Sequence, residues 1–227
     1  MRRSRSSTRG GLGIGAAASS LDMSAFYRHP GRSAGRSARR GVGKGVVRFQ
    51  TSDRVRGMNT KDLALLLDYN YWANRRILDR AAQLSGEQLV APQPPGFSAG
   101  SLHGTLVHIL NSEWAWRMRL QHGISPAAAL KPVEFPNLSA LLTRWQTEEQ
   151  RMREYAAGLN DDDLARVVTY TTIVNPQMRQ HTVEHCLTHM VFHGMQHRSE
   201  AAAILTNFGH SPGNIDLIYY LIERGIP

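Results

Sequence analysis

Five histidines, His181, His185, His189, His193 and His197, fall at every fourth position of the stretch HTVEHCLTHMVFHGMQHRSE. Residues four apart on an α-helix share nearly one face, so this spacing predicts a helix from about Gln180 to Asn207, stopped by Gly209 and Pro212. Gly194 is the one weak helix former in its middle. Two imidazoles at i and i+4 can converge on one metal ion. Three cannot, because each step of four rises about 6 Å and drifts about 40° around the axis. Metal–nitrogen bonds of about 2.0–2.1 Å do not span two such steps. At most one adjacent pair chelates a given ion, and another helix must supply further ligands. The alternative is that the histidines are ordinary surface and core residues with satisfied ring nitrogens.

The formal charge of +9 invites a nucleic-acid reading, but its distribution argues against one. Residues 1–57 carry 13 Lys and Arg against two acidic residues, a net of +11. Residues 58–227 carry 14 against 16, a net of −2. The first segment is rich in Arg, Gly and Ser with little apolar periodicity, and disorder is expected of it. Three readings compete for it: an organellar transit peptide, an arginine-rich arm on phosphates, or residues preceding a true start at Met58. The last is favoured, because Met58 stands directly before the first helical pattern. The single cysteine, Cys186, excludes an intrachain disulfide and fits a reducing, cytoplasmic compartment. Its expected role is that of a buried structural thiol. No apolar run approaches the ~18–20 residues of a membrane span.

Residues 58–227 read as one helical domain. Asn59 or Thr60 caps a first helix from Lys61, which ends near Ser85-Gly86, and Ser85 to Gln88 has capping-box spacing for a short turn of helix. After the loop APQPPGF, a second helix is expected from Ser98 to His122, closed by Gly123. A third starts at Asn137 or Ser139 and stops at Gly158. A polar turn, Asn160 to Asp163, precedes RVVTYTTIV, whose β-branched residues suit a short extended or hairpin segment, broken at Asn175-Pro176. The histidine helix follows, and a short helix near Ile215 to Glu223 closes the chain. Four long amphipathic helices with short connections give an all-α four-helix bundle, with one short extra C-terminal helix and a disordered N-terminal extension. Trp72, Trp114 and Trp116 are assigned to the bundle core.

The remaining globular histidines are His103, His108, His122 and His210. His122 and His210 sit beside helix-ending glycines, where a cation needs no other explanation. His108 lies mid-helix between Val107 and Ile109. It is either a ligand or a buried imidazole hydrogen-bonded to a neighbour.

The chain resembles the DinB/YfiT-like family over nearly all of residues 58–227. The resemblance rests on Tyr69-Asn70-Tyr71-Trp72-Ala73-Asn74, on His108-Ile109-Leu110 with Glu113 and Trp114, and on His189, His193 and His197-Arg198. Gly209-His210-Ser211-Pro212 through Asp216 to Tyr220 also matches. It implies a four-helix bundle, typically dimeric, with a divalent metal held by three histidines, which here would be His108, His193 and His197. Zinc or nickel is the usual metal, and imidazole ligands also admit iron or manganese. Several relatives are thiol-dependent S-transferases or isomerases, and the family's name marks it as damage-inducible. The family pattern His-Arg-Gly-Gln is replaced here by His197-Arg198-Ser199-Glu200. Glu200, on the face of His197, is placed to orient that imidazole, to approach the metal, or simply to be solvated. His189 is expected to line the pocket, and Arg198 to anchor an anion or pair with a carboxylate. His181 and His185 are expected at the surface.

Three histidines leave an open coordination position, the arrangement of catalytic zinc. The expected function is a small metalloenzyme that activates a low-molecular-weight thiol or water for attack on a small-molecule electrophile, with no catalytic residue assigned. A non-catalytic, metal-stabilised stress-response bundle is the alternative. Nucleic-acid binding through the basic segment ranks last.

Overall fold

Asn59 opens the first helix: its side chain accepts from the backbone of Lys61 and Asp62, and Asp62 accepts in return from the Asn59 N–H. In the computed structural model, which describes residues 57–97, 99–172 and 177–227, this helix is α1, Thr60–Ala81. The expectations for residues 1–56 and for the break at Asn175-Pro176 lie outside the described residues. α2, Gly86–Val90, carries the capping box of Ser85 with Gln88.

α3 runs over Leu102–His122 and starts four residues later than expected. Gly100 is left-handed at φ +69°, which ends any helical continuity upstream. The Ser101 hydroxyl then caps the amide of Gly104. At the other end Gly123, at φ +67°, is the expected stop. α4, Leu138–Ala157, is capped by Asn137. Where a polar turn was expected, Asn160 and Asp163 form a reciprocal capping box that nucleates α5, Asp161–Ala165.

β1, Val167–Tyr170, pairs antiparallel with β2, Arg179–Thr182, with Val168 opposite His181. The expected hairpin is present, and it takes His181 out of the histidine ladder. α6 is Val183–Asn207, capped by the Thr182 hydroxyl on the amide of His185, so four of the five histidines ride on it. α7, Leu217–Arg224, is the last helix and stops at Gly225.

α1 and α3 each pack against both α4 and α6, which closes the four long helices into a bundle. Its core falls into two apolar clusters. One gathers Leu63, Leu67, Met152, Leu187 and Met190 near the hairpin. The other gathers Ile77, Leu102, Leu106, Leu141 and Ile204 at the far end. Trp72 and Trp116 are buried and Trp114 half-buried.

A buried polar layer separates the two clusters. Asn70 and Asn74 of α1 each donate through Nδ2 to Oε1 of Glu113 at 2.8 Å. Trp145 Nε1 of α4 donates to Glu113 Oε2 at 2.9 Å. The amide oxygens of the same two asparagines accept from Arg198 Nη1 of α6, at 2.6 and 2.9 Å. All four long helices meet in this layer. Arg198 is fully buried and reaches Glu113 through two amides, so it neither anchors an outside anion nor pairs directly with a carboxylate. Beside it, Arg117 of α3 forks onto buried Glu148 of α4, which also accepts from Arg144.

Gly194 is explained by this layer. A Cβ there would lie 2.7 Å from Arg198 Nη1 and 3.1 Å from Asn70 Oδ1. The missing side chain makes room for the guanidinium and for α1. Gly→Ala in a helix interior ordinarily gains up to about 1 kcal/mol. Gly194→Ala should instead destabilise the fold by about 1–3 kcal/mol, because a methyl group there overpacks a buried hydrogen-bonded network. Denaturant unfolding of the two proteins measures the difference, and a more stable variant would show that the guanidinium yields freely.

Candidate metal centre

His108 comes from α3 and His193 and His197 from α6, one helical turn apart. One ring nitrogen from each lies within 4.8 Å of the other two, a set that could hold one metal ion. The Nε2 atoms of His108 and His193 are 3.3 Å apart. Two nitrogens bound to one tetrahedral ion at about 2.0–2.1 Å sit about 3.3–3.4 Å from each other, so this edge already has the dimension of a coordination polyhedron. Ring centroids of 4.4 Å for His108–His197 and 4.5 Å for His193–His197 complete the triangle.

Burial disfavours the protonated form of two of the donors, His193 and His108, and the neutral form is the one a cation requires. Burial, and then the neighbouring His197 and His108, push the His193 imidazole down to about 3. His108 is lowered for the same two reasons, burial first and His197 second, with Glu200 opposing. Nδ1 of His197 lies 3.1 Å from Oε2 of Glu200. A ring proton shared with that carboxylate leaves the opposite nitrogen, Nε2, as the available lone pair. Of the readings open for Glu200, its position matches the orienting one.

The other singled-out residues are distributed around this triangle. His189, one turn before His193, is exposed and 5.7 Å from it by ring centroids, outside the set of three. It stacks edgewise on Trp116. His181 is exposed on β2, where its Nδ1 meets the Tyr170 hydroxyl at 3.0 Å. His185 is exposed, and His210 contacts Gln83. Cys186 is buried, and desolvation raises its thiol to about 11. It is therefore protonated and unreactive at neutral pH, in line with a structural thiol.

Sequence reasoning quoted Asn70, Asn74 and Glu113 without a role, and it missed the layer they build. Its signal was present. Asn70 and Asn74 stand four apart on the apolar phase of α1, where an unpartnered amide would be costly.

Among the described residues no helix is long and apolar enough to cross a membrane. A mostly helical bundle with a clustered histidine triplet is the class that fold and site define. The chain belongs to the DinB family, whose sequence profile matches residues 58–224, from Met58 to the end of α7. No curated protein matches it.

The depressed imidazoles give a pH dependence with a definite sign. His193 binds its proton near pH 3 when folded and near 6.5 when unfolded, so the unfolded chain holds more protons between those values. The metal-free protein should lose stability as pH falls from about 6.5 toward 3. Melting temperatures across that range should fall less steeply in His193→Asn, and parallel curves would show that His193 does not carry the effect.

Proposed function

We propose that His108, His193 and His197 hold one divalent metal ion, and that the chain is a small metalloenzyme acting on a small electrophile with a low-molecular-weight thiol or water. The observation that carries this is the convergence of three ring nitrogens, drawn from two helices, within 4.8 Å. A divalent ion held by three imidazoles has room for a further ligand and would acidify a thiol or water there. Zinc and nickel suit such a set, as does iron, and manganese is admitted.

The chain's own residues prepare that chemistry. Glu200 holds the His197 ring in one tautomer and makes it a better donor. Burial keeps His193 free of a competing proton. The Glu113–Asn70–Asn74–Arg198 layer ties α6 to α1 and α3 at the level of the histidines, which fixes the helices that carry them. The chain's single thiol is buried and protonated, so the reacting thiol is a diffusible molecule rather than a side chain.

Metal content of the full-length protein tests the reading. About one ion per chain is expected by mass spectrometry, lost in His108→Ala and His193→Ala, with affinity lowered roughly 10- to 100-fold in Glu200→Gln. Failure to load any metal would remove the enzyme reading first. An ion that raises the melting temperature but supports no thiol transfer or hydrolysis would assign the site to holding α3 against α6.

A further inference from the structure

Three arginines of the bundle are buried, and they differ in what they meet. Arg117 is answered by Glu148, and Arg198 by two asparagines backed by Glu113. Arg119 of α3 has neither. At 7 % exposure, its one hydrogen bond among the described residues runs from Nε to the carbonyl oxygen of Thr171, at 3.1 Å. No carboxylate pairs with it among the described residues, and desolvation lowers its affinity for its own proton. Its guanidinium lies 4.9 Å from the Trp116 ring and 5.7 Å from the Tyr170 ring. Four of its five N–H donors thus have no hydrogen-bond partner among the described residues.

Its place in the fold says what. α3 and α6 run antiparallel, and the seam between them carries a continuous row of side chains. From the candidate metal centre the row passes His193 to His189, at 5.7 Å between centroids, and His189 to Trp116, at 5.5 Å. Arg119 stands over the Trp116 ring. His108 and Trp116 are eight residues apart on α3, which is about 12 Å of helix rise. His193 and His108 are half-exposed and His189 exposed, so the row lies open to a ligand approaching along the seam. A cation clamped on aromatic rings, with no carboxylate partner among the described residues and eleven residues, about three turns, after His108 on α3, is a receptor for one end of a molecule whose other end reaches the histidines.

We infer that Arg119 binds a carboxylate carried by the thiol substrate, at the end of the molecule away from the sulfur. This rests on the metal-site reading above and adds the feature that selects the thiol. The thiol is the reactant held at both ends because it must stay in place while the electrophile arrives. Arg119 is then a specificity residue that acts through substrate binding, with Trp116 and His189 forming the wall between the two ends.

Cobalt-loaded full-length protein gives a readout independent of turnover, because a thiolate bound to cobalt absorbs in a charge-transfer band. Titration with 8-mercaptooctanoate and with 8-mercaptooctanol compares two thiols of similar reach that differ in the carboxylate. The acid should bind roughly tenfold or more tightly than the alcohol, the scale of one charge-assisted bidentate hydrogen bond. In Arg119→Gln the ratio should fall to about one through loss of acid affinity alone, and Arg119→Lys should restore part of it. Equal affinities in the unsubstituted protein would overturn the inference while leaving the metal site standing. An Arg119 that serves only to hold the hairpin through Thr171 would leave the ratio unchanged on substitution, which also overturns it. Absence of the thiolate band with every thiol, or failure to load cobalt, would remove the metal-site reading and this inference with it.

Discussion

One buried carboxylate organises the bundle. Glu113 sits where four helices meet and accepts from three donors on two of them, while Arg198 of the fourth completes the charge through the same two asparagines. Desolvation raises the Glu113 carboxyl, whereas the hydrogen bonds and Arg198 work against that rise. An isolated ion at this depth would be untenable, and removal of one partner from such a network typically costs several kcal/mol. The layer consequently specifies register more than it adds stability. A slip of α6 by one residue would swing Arg198 about 100° away from Asn70 and Asn74 and strand all three charges and amides.

That register is what the histidines use. Arg198 follows His197 directly, so the two point to different sides of α6: one into the layer, the other into the seam with α3. Glu113 stands five residues after His108 on α3 and does the same for the second helix. Each helix therefore carries one buried anchor and, within about a turn and a half of it, its site imidazoles, one on α3 and two on α6. Close approach of α1 to α6 at Gly194 belongs to the same arrangement, because the guanidinium occupies the space a side chain would fill. The imidazoles can then be held at a 3.3 Å edge against their mutual repulsion when protonated.

Most of the fold was legible because it is written in local chemistry. Asn59, Ser85, Asn137 and Gly123 cap where their residue types predict, and the β-branched run at Val167–Tyr170 pairs as a strand. The misses have equally local causes. Periodicity carried the second helix back to Ser98 because it cannot see that Gly100 turns left-handed. The histidine ladder hid a change of element, since a period of four in the sequence does not show that Thr182 caps the helix and leaves His181 on a strand. Which pair of the ladder faces another helix was not readable from spacing at all, and came from the resemblance of His193 and His197-Arg198 to a known pattern. Arg119 carried no sequence signal, for an arginine among apolar residues looks the same whether its partner is a carboxylate, a carbonyl or nothing.

The replacement of the familiar Gly-Gln by Ser199-Glu200 becomes intelligible at this level. A neutral amide after His197 could accept a ring proton but would add no charge. Glu200 adds a carboxylate against the His197 ring, on a side chain mostly out of solvent. Two consequences follow from electrostatics alone. The centre gains affinity for a dication relative to a three-imidazole site with a neutral neighbour, and an anionic ligand arriving at the ion meets a smaller net positive charge. On the proposed reading, a thiolate would be held less by charge at the histidines than in the amide version. Retention of such a substrate would then fall more to the other end of the seam, at Arg119. The departure at Glu200 and the Arg119 guanidinium, which no carboxylate meets among the described residues, thus fit one distribution of charge along α3 and α6.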